Sequence, residues 1–434
     1  GVPLRSPISI HGRYGNFSIE VSPEDKSLEV SFLGMKKNSV LLESSKAMYN
    51  ITLDEEYNNL DEIIVTGYGA QRKRDITGAI TSLSAEDIEQ NAGGNINTAL
   101  QGKIPGMQII TSSGEPGAGA NISIRGLSSI NGSNEPLYII DGVAIESGNI
   151  SSLDGDASFS PTAGLDINDI ESVEVLKDAA SAAIYGSRAA NGVIIITTKG
   201  GQKLGVSEPV VNVSHTSSIV SNSRNLDVLN SREFREVYVQ ARLNNGSPRP
   251  ENDWVVNPNN PMYLRSTDWQ SLMFRTVYQH RENISVRGSN DSFSYSLSFG
   301  YRDQKPTIIH TKYQQYNGRA NFTYRVNKYV KGFTSISYSK QDYNRVLSGN
   351  SNTSVVSSIV KSNPAFHPYD FETGELLDYL GGNQMRNPIA MAKYTPYNFG
   401  REWTVISQHF DINLAKGLEL RISGSMDKDN TEQD

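Results

Sequence analysis

From Phe293 to Tyr301 the chain alternates without a break: Phe293, Tyr295, Leu297, Phe299 and Tyr301 take one parity, and Ser294, Ser296, Ser298 and Gly300 the other. A period of two is that of a β-strand, whose successive side chains point to opposite faces. The pattern recurs. Tyr316, Gly318, Ala320, Phe322, Tyr324 and Val326 interleave with Asn317, Arg319, Asn321, Thr323 and Arg325; Thr404, Ile406, Phe410, Ile412 and Leu414 interleave with Ser407, His409, Asp411 and Asn413, with Gln408 on the apolar parity. About ten residues at ~45° tilt is the length a strand needs to cross a bilayer's hydrocarbon core. The spacing predicts seven strands, near 209–220, 280–289, 292–303, 313–327, 330–342, 400–414 and 417–427.

Their connections alternate in length. Ser289-Asn290-Asp291, Asn327-Lys328-Tyr329 and Ala415-Lys416-Gly417 are tight turns, whereas 221–279 and 343–399 are long and 303–312 intermediate. Short turns on one rim and long loops on the other are what bacterial outer-membrane barrels show; a soluble sandwich has no reason to sort its loops this way. Tyr295, Tyr301, Tyr313, Tyr329 and Trp403 are expected in the interfacial aromatic girdles.

Ahead of these strands, residues 70–202 predict a mixed α/β block. Helices are expected at Ser84–Asn91, with Asp87 in the capping-box position, near Asn97–Gly102, and from an Asp178 cap to Gly186; strands are expected at Met107–Thr111, Ile122–Arg125, Leu137–Ile140, Ser172–Leu176 and Val193–Thr198. The block bears on the size of the barrel. Eight strands enclose only their own side chains, whereas barrels of about 22 hold a folded plug. The expected fold is therefore mainly β: a large antiparallel transmembrane β-barrel, of about 22 strands when complete and with about the first seven here, enclosing an N-terminal α/β plug. Short β-type runs at Asn16–Val21, Ser27–Leu33 and Ala47–Leu53 predict a small β-sandwich extension, and Asp54–Asn59 an acidic linker.

Composition narrows the function. A net charge of -7 over 434 residues argues against a nucleic-acid partner. No run of eighteen apolar residues marks a transmembrane helix, a test to which barrels are blind. With no cysteine there is neither disulfide nor thiolate chemistry. The start at Gly1-Val2-Pro3-Leu4 carries no signal-peptide pattern, and the end at Thr431–Asp434 reads as a truncation within the barrel. The six histidines are scattered without ligand spacing, so neither a metal nor a cofactor is expected. No serine, histidine and acid set stands out, so no catalysis is expected either. Gly114–Gly119 lacks the Lys-Ser/Thr ending of a phosphate loop and reads as a plug apex loop.

Four stretches closely resemble the SusC/RagA family of TonB-dependent outer-membrane transporters. Leu60–Gly69 (LDEIIVTGYG) resembles the family's segment containing the Ton box. Ala99–Met107 (ALQGKIPGM) resembles its A-L-Q-G-K-x-x-G plug motif. Ile124-Arg125-Gly126 followed by Glu135–Val143 (EPLYIIDGV) resembles its I-R-G and P-L-Y-V-I-D-G-V core. Val173–Val193 (VEVLKDAASAAIYGSRAANGV) nearly repeats the family signature. Asn363–Pro368 and Arg386–Ala390 are similar to family loop motifs, and Gly15–Ser18 with Leu28–Leu33 to the family's carboxypeptidase-regulatory-like extension. The family usually carries another loop and strand between the counterparts of Leu4 and Gly15.

The resemblance implies four regions: the partial extension and linker over 1–58, the Ton box segment over 59–69, the plug over 70–202, and the first part of the barrel over 203–434. It implies that Asp61, Glu62, Ile63, Ile64, Val65, Thr66 and Gly67 are gripped by TonB, which would add a strand main chain to main chain. It places Arg125, Gly126, Asp141, Gly142, Lys177, Asp178, Tyr185, Gly186, Arg188, Asn191 and Gly192 in the plug core, with Arg125 either paired to carboxylates of plug or wall or solvated. The implied partners are TonB with its proton-driven inner-membrane complex, a SusD-like surface lipoprotein, outer-membrane lipid, and a glycan or peptide substrate. The implied function is energised import of such an oligomer. Siderophore or cobalamin uptake, a passive porin and an adhesin are the alternatives.

Overall fold

The computed structural model describes residues 27–30, 38–42, 49, 51, 63–66, 69–72, 80–89, 96–111, 113–129, 133–145, 160–200, 208–246, 257–259, 263, 265–347, 354–381, 385–395, 397–415 and 417–433. It divides into two units, residues 1–63 with 72–74, and residues 64–71 with 75–434. In the first unit β1 (Ser27–Val30) pairs antiparallel with β2 (Asn38–Leu41). The expected strand at Asn16–Val21 lies outside the described residues, as does most of Ala47–Leu53. Within the expected Ton box segment and just beyond it, β3 (Ile63–Thr66) and β4 (Gly69–Arg72) form a two-stranded sheet. Asp61, Glu62 and Gly67 lie outside the described residues.

The plug is a five-stranded sheet built from β5 (Ile80–Ser84), β8 (Leu137–Ile140), β9 (Val143–Ile145), β10 (Ile170–Leu176) and β11 (Val193–Thr198), in the order β5-β10-β11-β8-β9, beside a hairpin of β6 (Met107–Thr111) and β7 (Ala120–Ile124). Only β8 and β11 run parallel. Both are continuous apolar runs because both of their faces are covered. On one face Ile194 and Ile196 meet Ile88 and Leu100 of helices α1 (Ala85–Glu89) and α2 (Ile96–Leu100). On the other, Val193 and Ile195 meet Ala182 of α3 (Ala179–Ala182) and Ala189. Ser84 and Asp87 close a capping box at α1: the Ser84 amide donates to the Asp87 carboxylate (3.0 Å) and the Asp87 amide to the Ser84 hydroxyl (3.4 Å). Asp178 stands at the N-cap of α3 but makes no side-chain capping bond there, its carboxylate being turned to Arg125.

Seven strands follow in one antiparallel sheet, each beside its predecessor: β12 (Val210–Val220), β13 (Val277–Ser289), β14 (Phe293–Gln304), β15 (Lys312–Arg325), β16 (Val330–Arg345), β19 (Tyr397–Ala415) and β20 (Leu418–Gln433). The sheet is part of a barrel wall and does not close on itself. Its sidedness is the reverse of a soluble sheet's. The face against the plug is polar and buried: Asn321, Ser339 and Gln341 are each 1% exposed. The outer face is apolar and open: Leu297 is 41% exposed, Phe299 54% and Ile336 40%. In water this surface would be an unpartnered apolar band; in lipid it is what a spanning strand presents.

The aromatic expectation needs correction. Tyr301 and Tyr316 lie together on the outer face with ring centroids 5.0 Å apart, but Tyr313 and Trp403 are each 1% exposed and point inward. Tyr313 packs with Tyr343 and Phe399, and Trp403 enters the plug's apolar core. Position near a strand end places a residue at the right height; parity decides which face it takes. Gln408, the polar intruder on the apolar parity, is accommodated by donating to the Tyr324 hydroxyl (3.1 Å) and bonding Thr334 (2.5 Å).

The long connections are folded. The one between β12 and β13 carries α4 (Ser231–Asn244), opened by an Asn230/Glu233 capping box, and α5 (Trp269–Met273). The one between β16 and β19 carries α6 (Val355–Lys361), the short pair β17 (Tyr379–Leu380) and β18 (Met385–Arg386), and α7 (Pro388–Tyr394). The two connections share a core around Trp269, Met273, Ile359, Phe366 and Met391. Asn387 gives its sequence motif a physical meaning: fully buried, it caps α7 through the Ile389 amide (3.1 Å) and donates to the carbonyls of Pro368 (2.8 Å) and Leu377 (2.7 Å).

Candidate functional site

The plug meets the wall at three places, and polar groups dominate each. The first is the turn Asp141-Gly142 between β8 and β9. Both residues have positive φ (48° and 84°) across the Ile140–Val143 pair, as a two-residue type I′ turn requires, and Asp followed by Gly suits that geometry. The Asp141 carboxylate accepts from the Thr198 amide (2.9 Å) and hydroxyl (2.7 Å), both within the plug. It also accepts from Arg319 Nη1 on β15 (2.9 Å) and the Ser335 hydroxyl on β16 (3.3 Å). Asn321, next inward-facing on β15, donates to the Thr198 hydroxyl (2.9 Å) and the Lys199 carbonyl (3.1 Å).

Arg319 stands between two plug carboxylates. Besides Asp141, its Nε lies 4.0 Å from Asp169, and all three side chains are 6–7% exposed. Burial pushes the Asp169 carboxyl up to about 6, with the neighbouring Asp166 charge raising it further and Arg319 opposing. Asp166 accepts from the Asn168 amide (2.9 Å) and from Asn283 on β13 (3.4 Å). A Cβ at Gly300 would lie within 2.8 Å of the side-chain ends of both Asn317 and Asp166, which would have to shift to admit it.

The second contact is the segment 160–164. Arg401 on β19, 1% exposed, bonds Asp429 on β20 with two nitrogens (3.0 and 2.7 Å) and reaches toward the carbonyls of Ser160 and Pro161 (3.5 Å each). Gln315 donates to the Ala163 carbonyl (3.1 Å). Trp403, its indole N–H held by Asp427 (2.8 Å), lies so close over Gly164 that a Cβ there would sit 2.7 Å from the ring. The third contact is the 114–119 loop, where Glu115 faces Arg345 at 3.8 Å and Gly117 lies under Tyr343. Burial raises the Glu115 carboxyl and Arg345 opposes the rise.

The other residues singled out from the sequence stay within the plug. Arg125 (φ 60°) donates its amide to the Gly106 carbonyl (2.7 Å) and pairs with Asp178 at the plug surface, half exposed and away from the wall. Lys177 donates to the Pro105 carbonyl (3.2 Å). Asn191 donates to the carbonyls of Ser133 (2.8 Å) and Glu135 (3.3 Å), tying the family signature to the strand ahead of it. Gly126, Gly186 and Gly192 all have positive φ; at Gly192 a Cβ would also lie 2.8 Å from Ile124 and 3.0 Å from the Leu176 carbonyl. Tyr185 packs under the sheet, and Arg188 is exposed. Arg319, Arg401, Asp166 and Asp169 were not singled out. For Arg319 the signal was its place on the polar parity of a strand interior, which marks an inward charge without naming its partner; Asp166 and Asp169, at a plug turn, carried none.

Comparison with known proteins agrees with this architecture. A family profile described as TonB-dependent Receptor Plug Domain matches residues 72–193. The chain is 32% identical over 421 residues to TonB-dependent receptor P26 of Formosa agariphila, covering 96% of this chain and 40% of that protein. It is 34% identical over 307 residues to TonB-dependent receptor SusC of Bacteroides thetaiotaomicron, covering 71% of this chain and 28% of the relative. Among solved structures, the RagAB peptide importer in its open-open state superposes with a TM-score of 0.69 at 25% identity, over 86% of this chain and 43% of that one. The chain thus spans less than half the length of these relatives. Its plug, the sidedness of its wall and these likenesses together place it in the SusC/RagA family of TonB-dependent receptors.

Proposed function

We propose that the protein to which this chain belongs sits in the bacterial outer membrane and imports a nutrient oligomer, a glycan or an oligopeptide, by TonB-dependent active transport. The single observation carrying this reading is the chemistry of the plug–wall contact. A plug that must leave its seat and return exposes both surfaces to water each time. An apolar seat would oppose that by about 25 cal/mol for every Å² uncovered. Side-chain hydrogen bonds such as Asn321 to Thr198 and Gln315 to Ala163 exchange for bonds to water at a net cost of only about 1 kcal/mol each. The buried Arg319–Asp141 pair then acts as the specific latch in a mainly polar seat, beside the apolar insertion of Trp403 and Val405 into the plug core.

Force would enter through Asp61–Gly67, where TonB, driven by its proton-coupled inner-membrane complex, would add a strand main chain to main chain. Residues 1–58 would serve as the periplasmic extension, 70–202 as the plug and 203–434 as the opening third of the wall. A SusD-like surface lipoprotein would close over the long loops, whose shared folded core offers it a shaped surface. Support for a peptide cargo comes from the likeness to the RagAB peptide importer. Deleting residues 61–67 is the test. Loss of uptake with unchanged assembly in the outer membrane supports energised import; undiminished uptake would show a passive pore.

A further inference from the structure

We propose that the outer wall carries a binding site for the phosphorylated headgroup of an outer-leaflet lipid, at the long-loop rim between β14, β15 and β16. The site is a cavity of about 340 Å³ lined by Arg275, Lys305, His310, Lys312, Asn344 and Lys393, with Thr311 and Ala392 at its base. Four permanent cations and a histidine converge there, and among the described residues no carboxylate lines it. Arg275 is held in place by donating from Nη2 to the Thr311 carbonyl (2.9 Å), and Lys305 is partly offset by Asp303 at 3.7 Å. On two of the lining residues, Arg275 Nε and Asn344 Oδ1 are buried with no hydrogen-bond partner among the described residues. A buried donor and a buried acceptor left open cost free energy unless something binds them. A phosphoryl group in the cavity would meet the ammonium groups of Lys305, Lys312 and Lys393, charge-assisted donors to its oxygens.

Parity decides which side of the wall the site is on. Tyr313 points inward and is buried, so Lys312 and its cross-strand partner Asn344 point outward, away from the plug. Four residues below Lys312 on the same face is Tyr316, paired with Tyr301 in the outer aromatic row. At ~3.4 Å per residue and ~45° tilt, the lysine lies roughly 10 Å above that row. Aromatic rows mark the boundary of the hydrocarbon, so the cavity is at headgroup height, and long lysine stems reach the remaining distance. A transported solute uses the lumen and does not meet this face. The two wall strands that line it, β15 and β16, are each paired on both sides within the described wall.

The inference rests on the outer-membrane placement argued above. The test uses the full-length protein, detergent-extracted, in native mass spectrometry with monophosphoryl lipid A, its dephosphorylated counterpart and inorganic phosphate as separate probes. Wild type should retain the phosphorylated lipid, and the K305Q/K312Q/K393Q variant should bind it roughly a hundredfold more weakly, since each lysine near an anionic surface contributes about fivefold. Equal retention by the variant, or equal binding of the dephosphorylated lipid, would overturn the proposal. So would saturation by inorganic phosphate with no gain from the acyl chains, which would reveal a soluble-anion site. Heat-modifiable gel migration verifies that the variant barrel is folded. Uptake by the variant separates the two readings: transport retained with lipid binding lost leaves the import account standing and supports this site.

Discussion

Arg319, in the middle of a barrel strand, donates to Asp141, at the tip of a plug hairpin, across 2.9 Å, and each side chain is 6% exposed. The two residues are 178 positions apart in the chain. The same guanidinium lies 4.0 Å from a second plug carboxylate, Asp169, equally buried, so Arg319 bridges two plug acids at once.

Arg319→Met should therefore cost more than a surface substitution. It leaves the Asp141 carboxylate buried against fewer donors, and breaking one side of a buried pair typically costs about 3–5 kcal/mol. The plug should loosen while the wall persists. The chain has no cysteine, so a single cysteine introduced on the plug can report its exposure to a soluble maleimide. Labelling should rise in R319M and fall back when D141N is added, because Asn tolerates the positive φ and removes the stranded charge. Equal labelling in all three proteins would remove the latch from the account.

Gly192→Ala should impair the plug itself. The position has φ 94°, and the new methyl would meet both Ile124 and the Leu176 carbonyl. Strain and overpacking together predict a loss of about 2–4 kcal/mol. Limited proteolysis should then cut the plug strands while sparing the wall. Gly142→Ala, which has open space around its would-be Cβ but φ 84°, should cost less. A plug equally resistant in G192A and wild type would contradict the packing described.

Asp169 predicts a pH dependence of definite sign. Its carboxyl is raised to about 6 in the folded protein, chiefly by burial, above the usual carboxylate value near 3.9 in an unfolded chain. A raised acid favours the folded state while protonated, so its contribution is complete below about 4 and is lost as pH rises through about 6. Plug exposure at pH 7.5 should exceed that at pH 5, and Asp169→Asn should flatten the difference by keeping the seated state at both. A pH response unchanged in D169N would assign it to other groups, Glu135 among them, whose carboxyl burial raises to about 7.

Much of this was legible in the chain because a strand's period of two survives any environment. The seven wall strands fall within a few residues of the positions read from alternation, and the short and long connections sort as expected. The plug's β8 and β11 were legible as strand-like runs, whereas Asp141-Gly142 stood out only within a family motif and its turn did not. What alternation could not give was the meaning of the inward polar residues. Asn321 carries only a polar parity in the sequence and Gln315 no signal at all, yet both are buried against plug backbone more than a hundred residues away. Tyr313 and Trp403 depart from the girdle expectation because height on the wall does not fix the face a side chain takes, and parity does. Arg125 drew attention through its motif, while the arginine that joins plug to wall, Arg319, has no local signature beyond its face.

The central claim is that the wall strands have lipid on their apolar parity and the plug on their polar parity. Single cysteines along β15, at Gly318, Ala320 and Phe322 on one face and at Asn317 and Asn321 on the other, can each carry a fluorophore in protein reconstituted with brominated phospholipid. Quenching should alternate strictly, strong at Gly318, Ala320 and Phe322 and weak at Asn317 and Asn321. Uniform quenching along the strand, or strong quenching at the asparagine positions, would contradict the account.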